Sequence, residues 1–389
     1  MITLRGSGVD YSAAARSVGP VLLRISDDPH RPAPLRGREA FLVSRAGPVP
    51  EGFGWYLIKF GVEHIVDDCV PAAHLAATFD YLGDGDVISM EPEHGRLRTL
   101  FRKKARYNSF LLTERCNNNC LMCSQPPRNV ADGWIVDEIL AAMPLIDRDA
   151  GEIGFTGGEP TLLGERFLEL VRATESFLPR TSLHILSNGR SFADEALARE
   201  LAKIRHHDLM LGIPVYSDLA HLHDHVVQAD GAFDETIRGI LNLKRHGVRV
   251  EIRSVLQQHT VARLPQFARF VTRNLRFVDH VALMGLELTG FARANLESLW
   301  IDPADYQAEL TEAVGILHRA HVHVSIYNSQ LCVLDRELHR FARRSISDWK
   351  QQYMPDCEGC SLLDACGGFF ASAEIRYSRA IKPVLDLVA

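Results

Sequence analysis

The chain has 389 residues, of which 46% are hydrophobic and 24% are charged, so it can bury a large core spread over two or three domains. Its formal net charge of -6 contains no long run of one sign, which argues against a nonspecific grip on nucleic acid or on an anionic membrane. No stretch reaches the roughly eighteen consecutive apolar residues of a membrane span, and the N-terminus lacks a secretory signal, so we expect a cytoplasmic protein.

Residues 1–105 show short apolar runs separated by glycine and proline, a pattern typical of strands and turns. The predicted strands are residues 21–25, 40–43, 55–60, 86–90 and 97–101. We therefore predict a small, mostly β N-terminal domain.

A strand-like run at residues 109–112 is followed by Cys116, Cys120 and Cys123, which form a Cys-x3-Cys-x2-Cys array. Soft thiolate ligands select iron-sulfur clusters, zinc or copper(I), and a [4Fe-4S] cluster with only three protein ligands keeps one iron open. A zinc knuckle and a redox dithiol are the alternatives, but zinc ligands usually come as two close pairs. The spacing therefore favours a cluster with chemistry at its open iron.

After this array, strand-like and helix-like segments alternate, which predicts βα units and a parallel sheet. The predicted strands are residues 109–112, 152–156, 183–186, 209–215, 248–256 and 280–286, and the predicted helices are residues 136–146, 162–178, 192–204, 233–246 and 264–274. Six such units predict an α/β fold with a partial (β/α)6 TIM-like barrel over residues 106–300. The active site of such a barrel lies at the C-terminal ends of its strands.

Three polar motifs stand at these strand ends. Residues 157–160 read Gly-Gly-Glu-Pro, in which glycines let the backbone come close to a ligand and Glu159 can accept a hydrogen bond from an ammonium group. Residues 187–189 read Ser-Asn-Gly, and both motifs are also ordinary turn sequences. Arg253, at the end of the fifth strand, can pair with a ligand carboxylate or with a carboxylate of the protein.

The last 89 residues, 301–389, carry a second cysteine group, which consists of Cys332, Cys357, Cys360 and Cys366. Four sulfurs complete the ligand set of one metal centre and leave no open position, and a structural zinc site is the alternative. Metal ligation is favoured over disulfides in an intracellular chain. Cys69 lies outside both groups.

The array of Cys116, Cys120 and Cys123 resembles the signature of radical S-adenosylmethionine (SAM) enzymes. The resemblance implies that these cysteines hold the [4Fe-4S] cluster that binds SAM, and that the 5'-deoxyadenosyl radical released from SAM abstracts a substrate hydrogen. The family commonly has an aromatic residue at the position of Met122. A thioether also packs against rings, so we expect Met122 to contact the adenine.

The same resemblance implies that loops after the second, third and fifth strands bind the amino group, the ribose and the carboxylate of SAM. The residues that it assigns to these contacts are Gly157, Gly158 and Glu159 for the amino group, Ser187 and Asn188 for the ribose, and Arg253 for the carboxylate.

A histidine-rich segment, residues 221–225, suggests a metal site by its composition. Its histidines are two residues apart and so do not share one face of a helix. The family resemblance implies a linker at this point of the chain, and we predict that no metal binds there.

The Cys-x2-Cys-x5-Cys spacing of Cys357, Cys360 and Cys366 resembles the SPASM extension of peptide-modifying radical SAM enzymes, or its shortened form, called twitch. With Cys332 as the fourth ligand, the resemblance implies one auxiliary [4Fe-4S] cluster in a C-terminal domain.

Residues 115–128 and 357–370 together resemble the maturase of the His-Xaa-Ser peptide system. This resemblance implies that the substrate is a ribosomally synthesised precursor peptide. It also implies a second radical SAM maturase as partner and an electron donor such as flavodoxin or ferredoxin. The alternatives are a radical SAM enzyme acting on a small metabolite or cofactor precursor, and a noncatalytic two-cluster electron carrier, against which residues 157–160 argue.

Overall fold

The computed structural model describes residues 4–63, 69–344 and 352–385. The chain divides into two compact units, each assembled from three stretches of sequence. The first contains Met1–Phe110, Gly133–Ile153 and Arg172–Ser182, and the second contains Leu111–Asp132, Gly154–Val171 and Leu183–Ala389. Within the described ranges, no helix is both long and apolar enough to cross a membrane.

The strands and α-helices of the described residues are numbered in chain order. The strands are β1 Arg5–Ser7, β2 Asp10–Tyr11, β3 Val21–Ser26, β4 Glu39–Val43, β5 Trp55–Ile58, β6 Ala72–His74, β7 Val87–Glu91, β8 Arg96–Phe101, β9 Asn108–Leu111, β10 Glu152–Thr156, β11 Ser182–Leu186, β12 Leu209–Pro214, β13 Arg249–Leu256, β14 His280–Gly285 and β15 Val324–Tyr327. The α-helices are α1 Ala13–Arg16, α2 Ala33–Arg36, α3 Trp134–Ala142, α4 Glu165–Phe177, α5 Glu195–Lys203, α6 Ala220–Val227, α7 Ala232–Arg245, α8 Leu264–Asn274, α9 Gly290–Ala294, α10 Leu296–Leu299 and α11 Gln307–Arg319.

Within the described residues, eight strands form the first sheet, in the order β1-β8-β7-β3-β4-β5-β6-β2. The neighbours from β3 to β6 pair in parallel, and the other neighbours pair antiparallel. Strand β5 shows how this sheet divides its apolar side chains: Trp55 and Leu57 join one buried cluster, whereas Tyr56 and Ile58 join another. This alternation follows from the two-residue period of a strand and places apolar side chains on both faces of the sheet.

The second sheet has seven strands in the part of the chain that the structure describes, in the order β15-β14-β13-β12-β11-β10-β9. The pairs from β11 to β15 are parallel. The predicted α/β fold with a parallel sheet is therefore confirmed. Strand β10 and helix α8 have the bounds that the sequence predicts. Strand β15 has no counterpart in the prediction, and through it the sheet continues past residue 300.

The histidine-rich segment forms helix α6, so the prediction of a linker was wrong. His223 is buried, and burial lowers its pKa to about 4. The N–H of Tyr216 donates to its Nδ1 at 3.3 Å. The Asp224 carboxylate accepts hydrogen bonds from two backbone N–H groups beyond the helix, at 2.7 and 2.8 Å. Both side chains thus stabilise the local fold.

Candidate active site

Three loops of the second unit carry most of the predicted site residues. The cysteine loop, residues 113–127, follows β9; the glycine loop, residues 157–160, follows β10; and the Ser-Asn loop, residues 187–190, follows β11. These three strands occupy consecutive positions in the sheet. The strand order therefore brings the three loops, which are far apart in the sequence, into one region.

The thiols of the cysteine loop are close enough to interact electrostatically. Burial, with smaller contributions from Cys123 and Cys116, raises the pKa of Cys120 to about 12. Burial also raises the pKa of Cys116 and of Cys123. In the part of the chain that the structure describes, no three His, Cys, Asp or Glu side chains converge closely enough for a single metal ion. A four-iron cluster takes each thiolate on its own iron atom, and three neighbouring thiols fit such a cluster in number and in element.

The glycine loop supports the cysteine loop through its backbone. The N–H of Gly158 donates to the carbonyl oxygen of Thr113 at 2.8 Å, and the N–H of Glu159 donates to that of Arg115 at 2.7 Å. A Cβ on Gly158 would lie only 2.1 Å from the Arg115 oxygen, and one on Gly157 would lie 2.5 Å from the Thr113 oxygen. Glycine is thus required at both positions because the cysteine loop comes this close to their backbone.

Two helices hold the other side of the cysteine loop. The carbonyl oxygens at the end of α6 accept hydrogen bonds from the N–H groups of Asn119 and Leu121, both at 3.0 Å. At the start of α9, the N–H of Phe291 donates to the carbonyl oxygen of Cys123 at 2.8 Å. Gly290 has a φ of +53°, and a Cβ there would lie 2.5 Å from that same oxygen. Gly290 is therefore a site residue without any local motif to reveal it.

The sequence predicts that Glu159 binds an ammonium group, but its hydrogen-bond partners in the structure are groups of the protein. It is fully buried, and its Oε1 accepts from the Thr161 N–H at 3.1 Å, the Thr161 hydroxyl at 2.6 Å and the Ser187 hydroxyl at 2.7 Å. Its Oε2 accepts from the Asn188 N–H at 2.6 Å. Burial raises the pKa of Glu159, and these hydrogen bonds oppose that shift. The carboxylate thus joins the glycine loop to the Ser-Asn loop.

The Ser-Asn loop in turn binds the cysteine loop. Asn188 donates from Nδ2 to the side-chain oxygen of Asn117 at 2.6 Å. Arg190 donates from Nη1 to the Asn117 carbonyl oxygen at 2.8 Å and to the Asn118 side chain at 2.7 Å, and its Nε donates to Glu235 at 2.6 Å. Sequence reasoning missed these partners. The three asparagines in a row between the first two cysteines, residues 117–119, were the available signal.

Met122 is buried beside Tyr216, another residue that the sequence prediction missed. Both belong to a hydrophobic cluster whose other buried members are Val226, Val227, Ala232, Ala292 and Leu299. Burial raises the pKa of Tyr216 far above its ordinary value, and the nearby Cys120 and Cys123 add to the shift. Apolar and aromatic groups therefore lie directly against the thiols.

Arg253 is ion-paired within the sheet, which is the alternative that the sequence left open. Its Nη1 donates to Glu251 Oε1 at 2.9 Å, while His280 Nδ1 lies 2.6 Å from Glu251 Oε2 and His280 Nε2 lies 3.0 Å from the Ser325 hydroxyl. Burial alone would raise the pKa of Glu251, but the His280 hydrogen bond and the positive charge of Arg253 lower it to about 2. The Arg253 guanidinium is thus oriented by a buried, ionised carboxylate.

The second cysteine group is also brought together. Burial raises the pKa of Cys332, and Cys366 and Cys357 contribute to that shift. Burial raises the pKa of Cys357 as well, with contributions from Cys366 and Cys360. The thiol after β15 is therefore near the three close to the C-terminus. The four thiols match the number of ligands of one [4Fe-4S] cluster.

Replacing Glu159 by Gln tests the role of its carboxylate. The side-chain NH2 group of Gln would face a hydroxyl or N–H donor, so at least one buried donor loses its acceptor. We expect the variant to be less stable by about 1 to 3 kcal/mol, seen as a lower midpoint of denaturant unfolding. Glu175→Gln, on the exposed surface of α4, is the control and should change stability by less than about 0.5 kcal/mol.

Two outcomes separate the possible roles of Glu159. A loss of stability supports the hydrogen-bonding role seen in the structure. Unchanged stability with weaker SAM binding would instead support direct contact between the carboxylate and the ammonium group of SAM.

Comparison with known proteins gives a family model, a curated relative and solved structures that match this chain. Residues 110–271 match the model of the Radical SAM superfamily. An uncharacterized protein of Methanothermobacter thermautotrophicus is 28% identical over 182 residues, which are 44% of this chain and 66% of that protein. The match thus spans just under two thirds of this curated relative.

The chain also matches solved structures. The structure of native anSMEcpe with bound AdoMet and Cp18Cys peptide is 14% identical with a TM-score of 0.50, and the match covers 71% of this chain and 92% of that one. Streptococcus suis SuiB bound to S-adenosylmethionine is 15% identical with a TM-score of 0.46, and the match covers 59% of this chain and 51% of SuiB. The cysteine loop, the glycine loop and the Ser-Asn loop all lie within residues 110–271, the part of the chain that matches the Radical SAM superfamily.

Proposed function

We propose that this chain is a radical SAM enzyme that modifies a ribosomally synthesised precursor peptide. The observation that carries the proposal is the cysteine loop, whose backbone is hydrogen-bonded to the glycine loop, to α6 and to α9. Such a rigid loop suits a cluster that must keep one iron open. When bound, the cluster and SAM supply the 5'-deoxyadenosyl radical that takes a hydrogen atom from the substrate.

The residues around the cysteine loop receive distinct roles in this proposal. Cys116, Cys120 and Cys123 are the cluster ligands. Glu159 is a positioning residue, because its four hydrogen bonds all go to protein donors. Ser187 is a positioning residue as well, because its hydroxyl donates to Glu159.

The SAM contacts are assigned to atoms beside this network. The backbone of Gly157 and Gly158 binds the amino group of SAM, and Asn188 lies beside the ribose. Met122 contacts the adenine from the hydrophobic cluster that it shares with Tyr216. Arg253, held in place by Glu251, binds the SAM carboxylate.

We assign the seven-stranded sheet to a partial barrel. The ligands of an auxiliary [4Fe-4S] cluster of the SPASM or twitch type are Cys332, Cys357, Cys360 and Cys366. The resemblance to the His-Xaa-Ser maturase supports a peptide substrate and a second maturase as partner. The anSMEcpe structure was solved with the Cp18Cys peptide bound, and we extend a peptide ligand to the present chain.

Coexpression with a candidate precursor peptide tests the proposed function. The peptide encoded beside this protein should change mass when the intact chain is present and keep its mass with the Cys123→Ala variant, as read by mass spectrometry. If the peptide stays unchanged but the chain cleaves SAM when a small metabolite is supplied, the result would support the metabolite alternative. A chain that binds iron but not SAM would support the electron carrier.

A further inference from the structure

The C-terminal tail, residues 378–385, brings two backbone N–H groups close to thiols of the second cysteine group. The N–H of Val384 donates to Cys360 Sγ at 3.4 Å. The N–H of Lys382 is near enough to Cys332 to oppose the rise in the pKa of this thiol that burial causes. The tail thus lies beside one thiol after β15 and one in the C-terminal cysteine segment.

The sequence of the tail suits this arrangement. Lys382 and Val384 are two residues apart, and in an extended chain N–H groups with that spacing point to the same side. Pro383 stands between them, so the position whose N–H would point to the other side has no N–H group. Proline also restricts the preceding residue, Lys382, to extended conformations. The backbone is therefore preorganised to present these two donors.

The tail is anchored at both ends by further hydrogen bonds. The N–H and the hydroxyl of Ser361, the residue after Cys360, donate to the Val384 carbonyl oxygen at 2.8 and 2.7 Å. The Ser378 hydroxyl donates to the buried Asp302 carboxylate at 2.5 Å, and the N–H of Arg379 donates to the same group at 3.1 Å. These anchors keep the donors against the sulfurs.

We propose that the C-terminal tail sets the reduction potential of the auxiliary cluster, an inference that rests on the proposed function. Hydrogen bonds to cluster sulfurs and exclusion of solvent are among the factors that fix such potentials. An N–H donor stabilises the more negative, reduced state of the cluster more than the oxidised state. The tail therefore raises the potential and favours electron uptake by the auxiliary cluster.

A single deleted N–H tests this inference. Val384→Pro removes the donor and keeps the carbonyl oxygen that Ser361 binds, whereas Val384→Ala keeps both and is the matched control. Both changes are made in the full chain that also carries Cys116→Ala, Cys120→Ala and Cys123→Ala, so that only the second cluster is observed. The measurements are iron per chain and the midpoint potential from a reductive titration followed by electron paramagnetic resonance (EPR).

The expected result is equal iron in both variants and a lower midpoint potential in Val384→Pro. Equal potentials at equal iron would overturn the role of the tail while leaving the auxiliary cluster intact. A host chain that binds zinc or no metal would overturn the auxiliary cluster itself, and the inference with it. If Val384→Pro loses iron and Val384→Ala does not, the variants Lys382→Pro and Lys382→Ala are compared instead by the same two measurements. Equal midpoint potentials in that pair would overturn the inference.

Discussion

Replacing Cys116, Cys120 and Cys123 together by Ala should abolish SAM cleavage and remove about half of the iron. Two four-iron clusters give about eight irons per reconstituted chain, and the loss of one leaves about four. Cleavage should stop because no open iron remains to bind the cofactor. Iron analysis and the yield of 5'-deoxyadenosine with a strong reductant, both measured without oxygen, check the two parts of the prediction.

Cys69→Ala is the matched control for this experiment. Cys69 is exposed and lies outside both cysteine groups, so its replacement should change neither the iron content nor SAM cleavage. Retention of all the iron in the triple variant would mean that the cysteine loop holds no cluster. Such a result would remove the basis of the proposed function.

The parts of the fold that the sequence predicts are those with strong local patterns. Strand β10 combines a short apolar run with a glycine turn directly after it, and α8 has an apolar face with a large polar face. Helix α6 lacks such a pattern, since its eight residues include three histidines. Its last carbonyl oxygens accept hydrogen bonds from the distant cysteine loop. Strand β15 has only four residues, and its place in the sheet depends on pairing with β14. Tertiary contacts that the local sequence does not encode determine both elements.

The candidate site shows the same limit at the level of single residues. The ligand cysteines are predictable because a cluster constrains their spacing in the sequence. The partners of Glu159 are not, because a carboxylate after a strand can face a ligand or the protein, and only the fold decides between them. The same holds for Arg253, which by its sequence position could pair with a ligand carboxylate or with Glu251, two residues away on the same face of β13. Only the structure shows that it pairs with Glu251. Gly290 is needed for the backbone of Cys123, 167 residues earlier in the sequence.

The second large effect is expected from the variant Cys357→Ala/Cys360→Ala, which should still cleave SAM but modify little or no peptide. Cys332 of the same group follows β15, whereas the cysteine loop follows β9, and these strands are at opposite ends of the sheet order. The hydrogen bonds that hold the cysteine loop involve the glycine loop, the Ser-Asn loop, α6 and α9, none of which contains a ligand of the second group. The measurements are 5'-deoxyadenosine with a strong reductant and the mass of the coexpressed peptide.

Folding is the confounding factor in this experiment, because the loss of ligands also removes metal-coupled folding energy. The comparison therefore requires a variant that stays soluble and retains about four irons in the SAM-binding cluster. Glu358→Gln is the control, since Glu358 is exposed and lies between the two substituted cysteines. A well-folded double variant that modifies its peptide at the rate of this control would show that the auxiliary cluster has a structural role. In that case electrons would reach the substrate site without it, and the potential set by the C-terminal tail would have no effect on turnover.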